Sequence, residues 1–346
     1  MEKLSRIVRE LVVIEGACAS GIASVKTLEG GPPSCDLSYL LPEAKSAVSF
    51  AVAIDEKVIP PYLMKKDRLG LEKDYIRANA LASGIALHLS NYLRQKGYPS
   101  VPVSANLVYR DGVAGGISAY VPDLAHRYLA VRSGVGYMGL SGNILTDDHG
   151  SAIILAATVT AAELVPTNPL PVENNYCDDC RLCIAACPSG FMDRSAKTTV
   201  SLGGVDFAFS KRSHYVRCDC VCSGYTGLHP SKKWSSWSPG RFGLPEDDDQ
   251  LPLAQDRMMK AHGKWPPAPG GRYLFNLEDK IRVSCAHCQL VCCRDKGERR
   301  DRYNMLIQGG VVVQHDDGSL EAVSPKYAQK YLASLPVDKR ALYEDV

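Results

Sequence analysis

The feature that most constrains this chain is a compact run of cysteines. Cys177, Cys180, Cys183 and Cys187 follow the pattern C-x2-C-x2-C-x3-C, and Pro188 comes directly after the last of them. Thiolates spaced two residues apart can wrap one face of a metal cluster, while the fourth, displaced by a helical step, points to a second cluster. Structural zinc sites instead favour paired C-x2-C units. The run therefore predicts iron–sulfur ligation.

A second group of cysteines repeats this pattern without its first member. Cys285, Cys288 and Cys292 give C-x2-C-x3-C, with Cys293 beside them. The missing ligand must come from elsewhere in the chain. The available donors lie in the segment RCDCVCSGY, and we favour the first of Cys218, Cys220 and Cys222.

The two groups together predict two [4Fe–4S] clusters. In bacterial ferredoxins the fourth cysteine of the run ligates the other cluster. By that logic one cluster is held by Cys177, Cys180, Cys183 and Cys292, and the other by Cys187, Cys285, Cys288 and one of the middle three cysteines. The remaining thiols are then free or buried, which is a simpler interpretation than a third cluster.

The composition agrees with metal ligation in a reducing compartment. Thirteen cysteines in a cytoplasmic chain are unlike a disulfide framework, because that compartment keeps thiols reduced. The first sixteen residues mix charges into their apolar positions and do not resemble a secretory signal. The longest apolar run, 151–165, is shorter than the ~20 residues of a membrane span. We therefore expect a cytoplasmic protein with no membrane partner.

The first half of the chain predicts an alternating arrangement of helices and strands. The apolar run 46–54 and the segments 101–108 and 152–159 read as strands. Helical periodicity covers 2–14, 72–96 and about 122–132. We predict an α/β (α+β) domain over residues 1–170, with a proline-containing linker at its end.

The predicted second domain, 171–300, contains the cysteine groups. Its middle, about 201–276, is rich in proline, glycine and charge and carries all three tryptophans, so we expect a long ordered insertion or lid. A short polar extension, 301–346, follows.

The segment between Ser133 and Ser151 is rich in glycine. Glycine lets the backbone approach a flat ligand closely, although a run of tight turns would use the same residues. The candidate cofactor-binding residues of this segment are Gly134, Gly136, Tyr137, Gly139, Gly142, His149, Gly150 and Ser151.

Three stretches carry a family resemblance: LPEAKSAVSFAVAI (41–54), RYLAVRSGVGYMGLSGNILTDDHGSAIIL (127–155), and CDDCRLCIAACPSG with the later CAHCQLVC. With them the chain resembles the superfamily of epoxyqueuosine reductases and reductive dehalogenases. The resemblance implies a nitroreductase-like corrinoid-binding domain followed by a bacterial-ferredoxin-like 2[4Fe–4S] domain. It also implies that the glycine-rich segment lies against cobalamin and that the clusters supply electrons to cobalt.

The resemblance places the proton donor at Tyr120, with Asp123 nearby. Epoxyqueuosine reductases have an aspartate at this register, whereas reductive dehalogenases use a tyrosine donor. A tyrosine that only packs at a helix start is the simpler alternative. His149 follows Asp147 in a D-x-H pattern that occurs in some cobalt-ligating proteins, but a loop histidine near the cofactor is the better interpretation.

The resulting hypothesis is an oxygen-sensitive, corrinoid-dependent iron–sulfur reductase. Its partners would be a low-potential electron donor such as ferredoxin or flavodoxin, and a small-molecule or modified-nucleoside substrate. The tRNA assignment is not favoured, because Leu140 and Ser141 replace the lysine and asparagine often found there and no helical repeats are expected. The alternative is an electron-transfer protein that reduces a separate corrinoid protein.

Overall fold

The computed structural model describes residues 1–104, 108–270 and 279–345. These residues divide into two compact units. Unit 1 comprises Met1–Ile54, Tyr75–Cys180 and Ala196–Ser210, and unit 2 comprises Asp55–Asp74, Arg181–Ser195 and Lys211–Val346. The chain passes between the two units more than once, whereas the sequence predicts a single change of domain at residue 170.

Both units contain helices and strands. The helices are α1 (Glu2–Ile14), α2 (Ile59–Leu63), α3 (Leu69–Gln95), α4 (His126–Arg132), α5 (Leu182–Ala185), α6 (Tyr215–Cys222), α7 (Leu251–His262), α8 (His287–Leu290), α9 (Lys296–Gln308), α10 (Pro325–Ser334) and α11 (Val337–Arg340). The strands are β1 (Ala19–Ser24), β2 (Ser46–Ala53), β3 (Ser100–Val103), β4 (Tyr137–Met138), β5 (Ile144–Leu145), β6 (Ile153–Thr160), β7 (Met192–Leu202), β8 (Val205–Arg212), β9 (Val311–Gln314) and β10 (Leu320–Val323).

Unit 1 is organised around a sheet with the strand order β1-β2-β6-β3. All three strand pairs are antiparallel. Strand β2 reads as an uninterrupted apolar run because it lies in the interior of this sheet and is buried along nearly its whole length. The predicted strand 101–108 is shorter, at Ser100–Val103, and residues 105–107 of that prediction lie outside the described part of the chain.

Helices pack on this sheet, and the sequence periodicity predicts which of their faces are buried. Helix α1 buries Ser5, Val8 and Val12, which lie three to four residues apart on one face. Helix α4 packs against β1, β2 and β6. Within the described residues, no helix is both long and apolar enough to cross a membrane.

Unit 2 has its own interior, which corrects the predicted insertion. Trp234, Trp237 and Trp265 are 2%, 6% and 2% exposed, so they form the core of this unit and not the surface of a lid. Residues 201–210 of the predicted insertion belong to unit 1, while 211–270 belong to unit 2. Residues 271–276 of that prediction lie outside the described ranges.

The segment after residue 300, predicted as a short polar extension, forms regular secondary structure. It contributes β9, β10, α10 and α11 to unit 2, and Ser324 caps α10 by accepting a hydrogen bond from the Tyr327 N–H. Leu332 and Tyr343 pack with Trp265, and the Trp265 and Tyr343 rings stack with centroids 5.2 Å apart. These contacts make the C-terminal segment part of the unit 2 core, which a polar appendix would not be.

Candidate iron–sulfur site

Three separate segments of unit 2 bring cysteine thiols together. The first contains α5, which begins after Arg181 in the left-handed conformation (φ 61°) and presents Cys183. The Cys187 N–H closes the end of this turn by donating to the Ile184 carbonyl at 3.1 Å. Helix α5 packs against α8, which lies in the segment of Cys285 and Cys288. The fold thus places the two cysteine groups of the sequence side by side.

The ionisation of these thiols shows which of them are neighbours. Burial raises the pKa of the Cys187 thiol, and the nearby Cys218 and Cys285 thiols raise it further. Burial also raises the pKa of Cys288 well above its ordinary value, with added contributions from Cys187, Cys218, Cys285 and Cys183. These five thiols therefore lie in one region, and their thiolate forms would repel one another unless a cation lay between them.

Helix α6 narrows the choice among the middle cysteines. Cys218 and Cys222 are four residues apart, so they lie on one face of the helix with their Sγ atoms 3.6 Å apart. Cys222 Sγ also donates to the Cys285 carbonyl at 3.4 Å. Cys220 lies on another face, where it is fully buried and its pKa rises to about 12 through burial and the Asp219 charge. The geometry leaves Cys218 and Cys222 as candidates for the eighth ligand.

Replacing Cys218 and Cys222 one at a time tests which of them is the eighth cluster ligand. We expect Cys218→Ala to lose about half of the iron after anaerobic reconstitution, because Cys218 neighbours both Cys187 and Cys288. Cys222→Ala on the same helix face should keep about eight iron per chain, the content of two clusters. Iron and acid-labile sulfide assays measure both. The reverse pattern would assign the ligand to Cys222.

The first two cysteines of the run lie in unit 1. The Leu140 N–H donates a hydrogen bond to Cys177 Sγ at 3.3 Å. The Cys177 N–H in turn donates to Asn175 Oδ1 at 3.1 Å. The division between the units falls after Cys180. The predicted ligand set of the first cluster stays a prediction.

The donor set fits an iron–sulfur cluster. Soft thiolates in a buried region are the ligands that such clusters use, and the neighbouring thiols come from the segments that the sequence pattern names. Within the described ranges, no three His, Cys, Asp or Glu side chains converge on a single metal ion. The cluster assignment therefore rests on the donor set and the shared burial of the thiols.

The candidate proton donors lie in a loop of unit 1 that precedes α4. Tyr120 adopts a left-handed conformation (φ 51°), and its ring meets Tyr109 edge-on with centroids 5.2 Å apart. Asp123 is about half buried, and burial raises the pKa of its carboxyl. Its Oδ1 accepts a hydrogen bond from the Leu124 N–H at 2.8 Å. A raised pKa makes Asp123 a better acid near neutral pH than an ordinary aspartate.

Arg110 holds this loop, and sequence reasoning did not single it out. Its guanidinium donates to the Asp123 carbonyl at 2.7 Å and to the Pro122 carbonyl at 3.3 Å. It also lies over the Tyr39 ring, 3.9 Å from the centroid. Arg110 is 5% exposed, so these contacts fix the backbone beside both candidate donors. One arginine in a turn-rich segment carries no sequence signal for such a role.

Close packing explains the absence of a side chain at three of these glycines, and their predicted contact with a corrinoid stays a prediction. A Cβ on Gly136 would lie 2.6 Å from Ile144 Cγ2 and 2.7 Å from the Leu145 carbonyl oxygen. A Cβ on Gly139 would press on the Leu145 side chain, and one on Gly134 would collide with the Asn168 carbonyl. These glycines are needed because β4, β5 and their neighbours pack closely, and the space beside them is filled by the chain itself.

This packing predicts the effect of enlarging Gly136. We expect Gly136→Ala to lower the free energy of unfolding by about 1–3 kcal/mol, the usual cost of overpacking a tight interior. Gly84→Ala in α3 is the control, because a Cβ there meets nothing within 4 Å. That variant should be slightly more stable than the parent. Denaturant unfolding measures both, and an unchanged Gly136→Ala would contradict the packing.

The other candidate cofactor residues lie in turns or in the interior of unit 1. Gly142 and Gly150 have positive φ angles of 72° and 56°, as tight turns require. Tyr137 is buried with its ring edge-on to Tyr176, and Ser151 is 1% exposed. His149 is half-buried. Their predicted contact with a corrinoid stays a prediction.

Comparison with known proteins shows which proteins the chain is similar to. No protein-family model matches the chain. An epoxyqueuosine reductase of Synechocystis is 34% identical over 80 residues, which is 20% of this chain and 27% of the relative. The chain resembles epoxyqueuosine reductases. The enzyme of that name from Atelocyanobacterium thalassa is 24% identical over 176 residues, or 51% of this chain and 52% of the relative.

The similarity between this chain and the epoxyqueuosine reductases covers part of each relative. The chain spans about half or less of the length of these two curated relatives. Among solved structures, a catabolic reductive dehalogenase superposes with a TM-score of 0.51 at 12% identity, covering 99% of this chain and 38% of that one. This likeness shows a shared fold. The predicted resemblance to epoxyqueuosine reductases is confirmed by the curated relatives.

Proposed function

We propose that this chain is an iron–sulfur oxidoreductase that passes electrons through two [4Fe–4S] clusters. The observation that carries the proposal is the convergence of thiols from three segments of unit 2, at Cys187, Cys218, Cys285 and Cys288. Thiolate-held clusters of this type carry single electrons at low potential. The names of the curated relatives support a reductase.

We further propose a corrinoid as the final acceptor of those electrons inside the protein. The support is the likeness to epoxyqueuosine reductases and to a reductive dehalogenase fold. When bound, a corrinoid supplies a strongly nucleophilic metal centre for attack on an electrophilic substrate. The chain's own part is to deliver electrons through its thiolate-bound clusters and to hold a proton at Tyr120 Oη or at the Asp123 carboxyl.

One observation favours a second candidate function. The glycines predicted to face cobalamin, Gly134, Gly136 and Gly139, have protein atoms where a flat ligand was predicted. A chain without its own corrinoid would act as an electron-transfer protein that reduces a separate corrinoid protein. This candidate keeps both clusters and needs no substrate pocket.

Anaerobic reconstitution with cobalamin separates the two candidates. The full chain, loaded with iron and sulfide, is mixed with an excess of cobalamin and passed through a desalting column. Retention of about one cobalamin per chain in the visible spectrum supports the corrinoid-dependent reductase. Cluster absorbance without cobalamin supports the electron-transfer protein. A sample reconstituted without iron is the control for binding that does not depend on the clusters.

For the substrate we propose an electrophilic modified nucleoside as the first class to test. The curated relatives that match the chain are epoxyqueuosine reductases, which makes an epoxide on a nucleoside the nearest chemistry. An organohalide is the second class, because the reductive dehalogenase likeness extends to the fold. Reduced ferredoxin or flavodoxin is the proposed electron donor. Single-turnover assays with the free nucleoside, a stem-loop RNA that carries it and a bromophenol distinguish these classes.

A further inference from the structure

A buried histidine lies between two predicted ligands of the second cluster. His287 is fully buried, and its ring packs against Tyr62 and Trp234 with centroid distances of 6.4 and 5.5 Å. Neither ring nitrogen has a partner in hydrogen-bonding geometry within the described part of the chain. Leaving a buried donor unpaired costs about 1–3 kcal/mol. Such a cost calls for an acceptor beside the ring.

His287 lies two residues after Cys285 and directly before Cys288. It helps to hold the pKa of the Cys285 thiol well below its ordinary value, after the larger effect of Cys222. The acceptor that the ring lacks would thus lie on the side of Cys285. A cluster held by Cys285 and Cys288 places sulfur atoms on that side.

A buried lysine approaches the same cysteine from residues 55–74. Lys65 is 7% exposed, with Nζ 3.5 Å from the Leu63 carbonyl and 6.0 Å from the centroid of the Trp237 ring. Its backbone is left-handed (φ 59°), which is uncommon for a lysine. Burial lowers the pKa of Lys65 to about 7, and the charge of Cys285 acts in the opposite direction by favouring the ammonium form. Lys65 forms no ion pair with a carboxylate of the described residues.

The unpaired ring nitrogens of His287 and the buried Lys65 are both explained by one anionic group next to Cys285. Burying an ammonium without an anion costs several kcal/mol, and burying an unpaired N–H adds to that cost. A thiolate-ligated cluster supplies negative charge and sulfur acceptors at the same place. Tyr62 and Trp237 fix the lysine segment, since Tyr62 Oη donates to the Val283 carbonyl at 3.2 Å and Trp237 Nε1 to the Tyr62 carbonyl at 3.1 Å.

We propose that His287 donates an N–H hydrogen bond to the second cluster and that the Lys65 ammonium lies beside it, so that together they raise its reduction potential. This inference rests on the proposed function, because it needs the second cluster to be present. Reduction adds one electron to the cluster and makes it more negative. A hydrogen-bond donor and a cation stabilise that reduced form more than the oxidised form.

The test is a redox titration of the full chain after anaerobic reconstitution. Lys65→Met removes the charge at similar volume, and Lys65→Arg restores it. His287→Phe keeps an aromatic ring without a donor, and His287→Gln restores an N–H. Iron and sulfide content is measured first for each variant, and the midpoint potential of each cluster is then followed by electron paramagnetic resonance.

We expect Lys65→Met and His287→Phe each to lower the ratio of reduced to oxidised second cluster about tenfold at fixed potential, a negative shift of 59 mV for a one-electron couple. Lys65→Arg and His287→Gln should lie near the parent. Fully loaded variants with unchanged potentials would overturn the inference. Loss of the second cluster from both variants at one position would also overturn it, because the residue at that position would then be structural. A parent chain with no second cluster would instead refute the proposed function.

Discussion

Replacing Cys288 by alanine is expected to remove one of two clusters, so that iron falls from about eight to about four per chain after anaerobic reconstitution. Cys288 is buried beside Cys187, Cys218 and Cys285, and three thiols would leave the cluster without one of its ligands. The remaining signal should be that of a single cluster in the electron paramagnetic resonance spectrum.

Cys220→Ala is the control, because it removes a buried thiol of the same unit that lies on a different face of α6 from Cys218 and Cys222. Its iron and sulfide content should equal that of the parent. An iron content of four in the parent, or zinc bound in place of iron, would refute the two-cluster assignment. Full iron in Cys288→Ala would remove Cys288 from the ligand set.

The second large effect concerns the proton donor. Tyr120→Phe keeps the edge-on ring contact with Tyr109 and removes only the hydroxyl, so cluster content should not change. If Tyr120 supplies the proton, turnover should fall by roughly the 10²–10⁴ that a positioned general acid contributes. Asp123→Asn is the matched change at the other candidate, and single-turnover rates with the active substrate class compare them.

The pH dependence of turnover tests independently whether Tyr120 or Asp123 donates the proton. Burial raises the pKa of Asp123 above its usual value near 3.8. If the aspartate donates, the rate is highest below that raised pKa and falls as the pH rises through it. Tyrosine hydroxyls ordinarily ionise near pH ~10, so a tyrosine donor keeps the rate constant across neutral pH. Full turnover in both variants would exclude Tyr120 and Asp123 as the proton donor.

The sequence predicts the parts of this molecule that depend on local spacing. The helices and the strands β2 and β6 follow from periodicity, because burial of one face repeats along the chain. The C-x2-C spacing likewise indicates the ligand type of the cluster site, since the turn that presents Cys183 and Cys187 is formed by adjacent residues. These features can be predicted without knowing which distant parts of the chain are in contact.

The features that sequence reasoning missed depend on long-range packing. Nothing in the composition of residues 55–74 shows that this segment belongs to unit 2, or that Lys65 would face Cys285, 220 positions later. The space beside Gly136 is equally invisible in sequence, because it depends on how Ile144 and Leu145 return along the hairpin. A glycine beside a ligand and a glycine beside a strand have the same sequence signature.

The assignment of residues 55–74 to unit 2 has a consequence for synthesis of the protein. This segment leaves the ribosome long before its partners near Trp237 and Cys285. At usual translation rates of about 5–20 residues per second, the delay is on the order of ten to forty seconds. During that time Tyr62 and Lys65 lack their final neighbours, and the proposed second cluster lacks Cys285 and Cys288. Maturation of this metal centre is therefore expected to be post-translational, and nascent chains are the stage most exposed to oxygen and to chaperones.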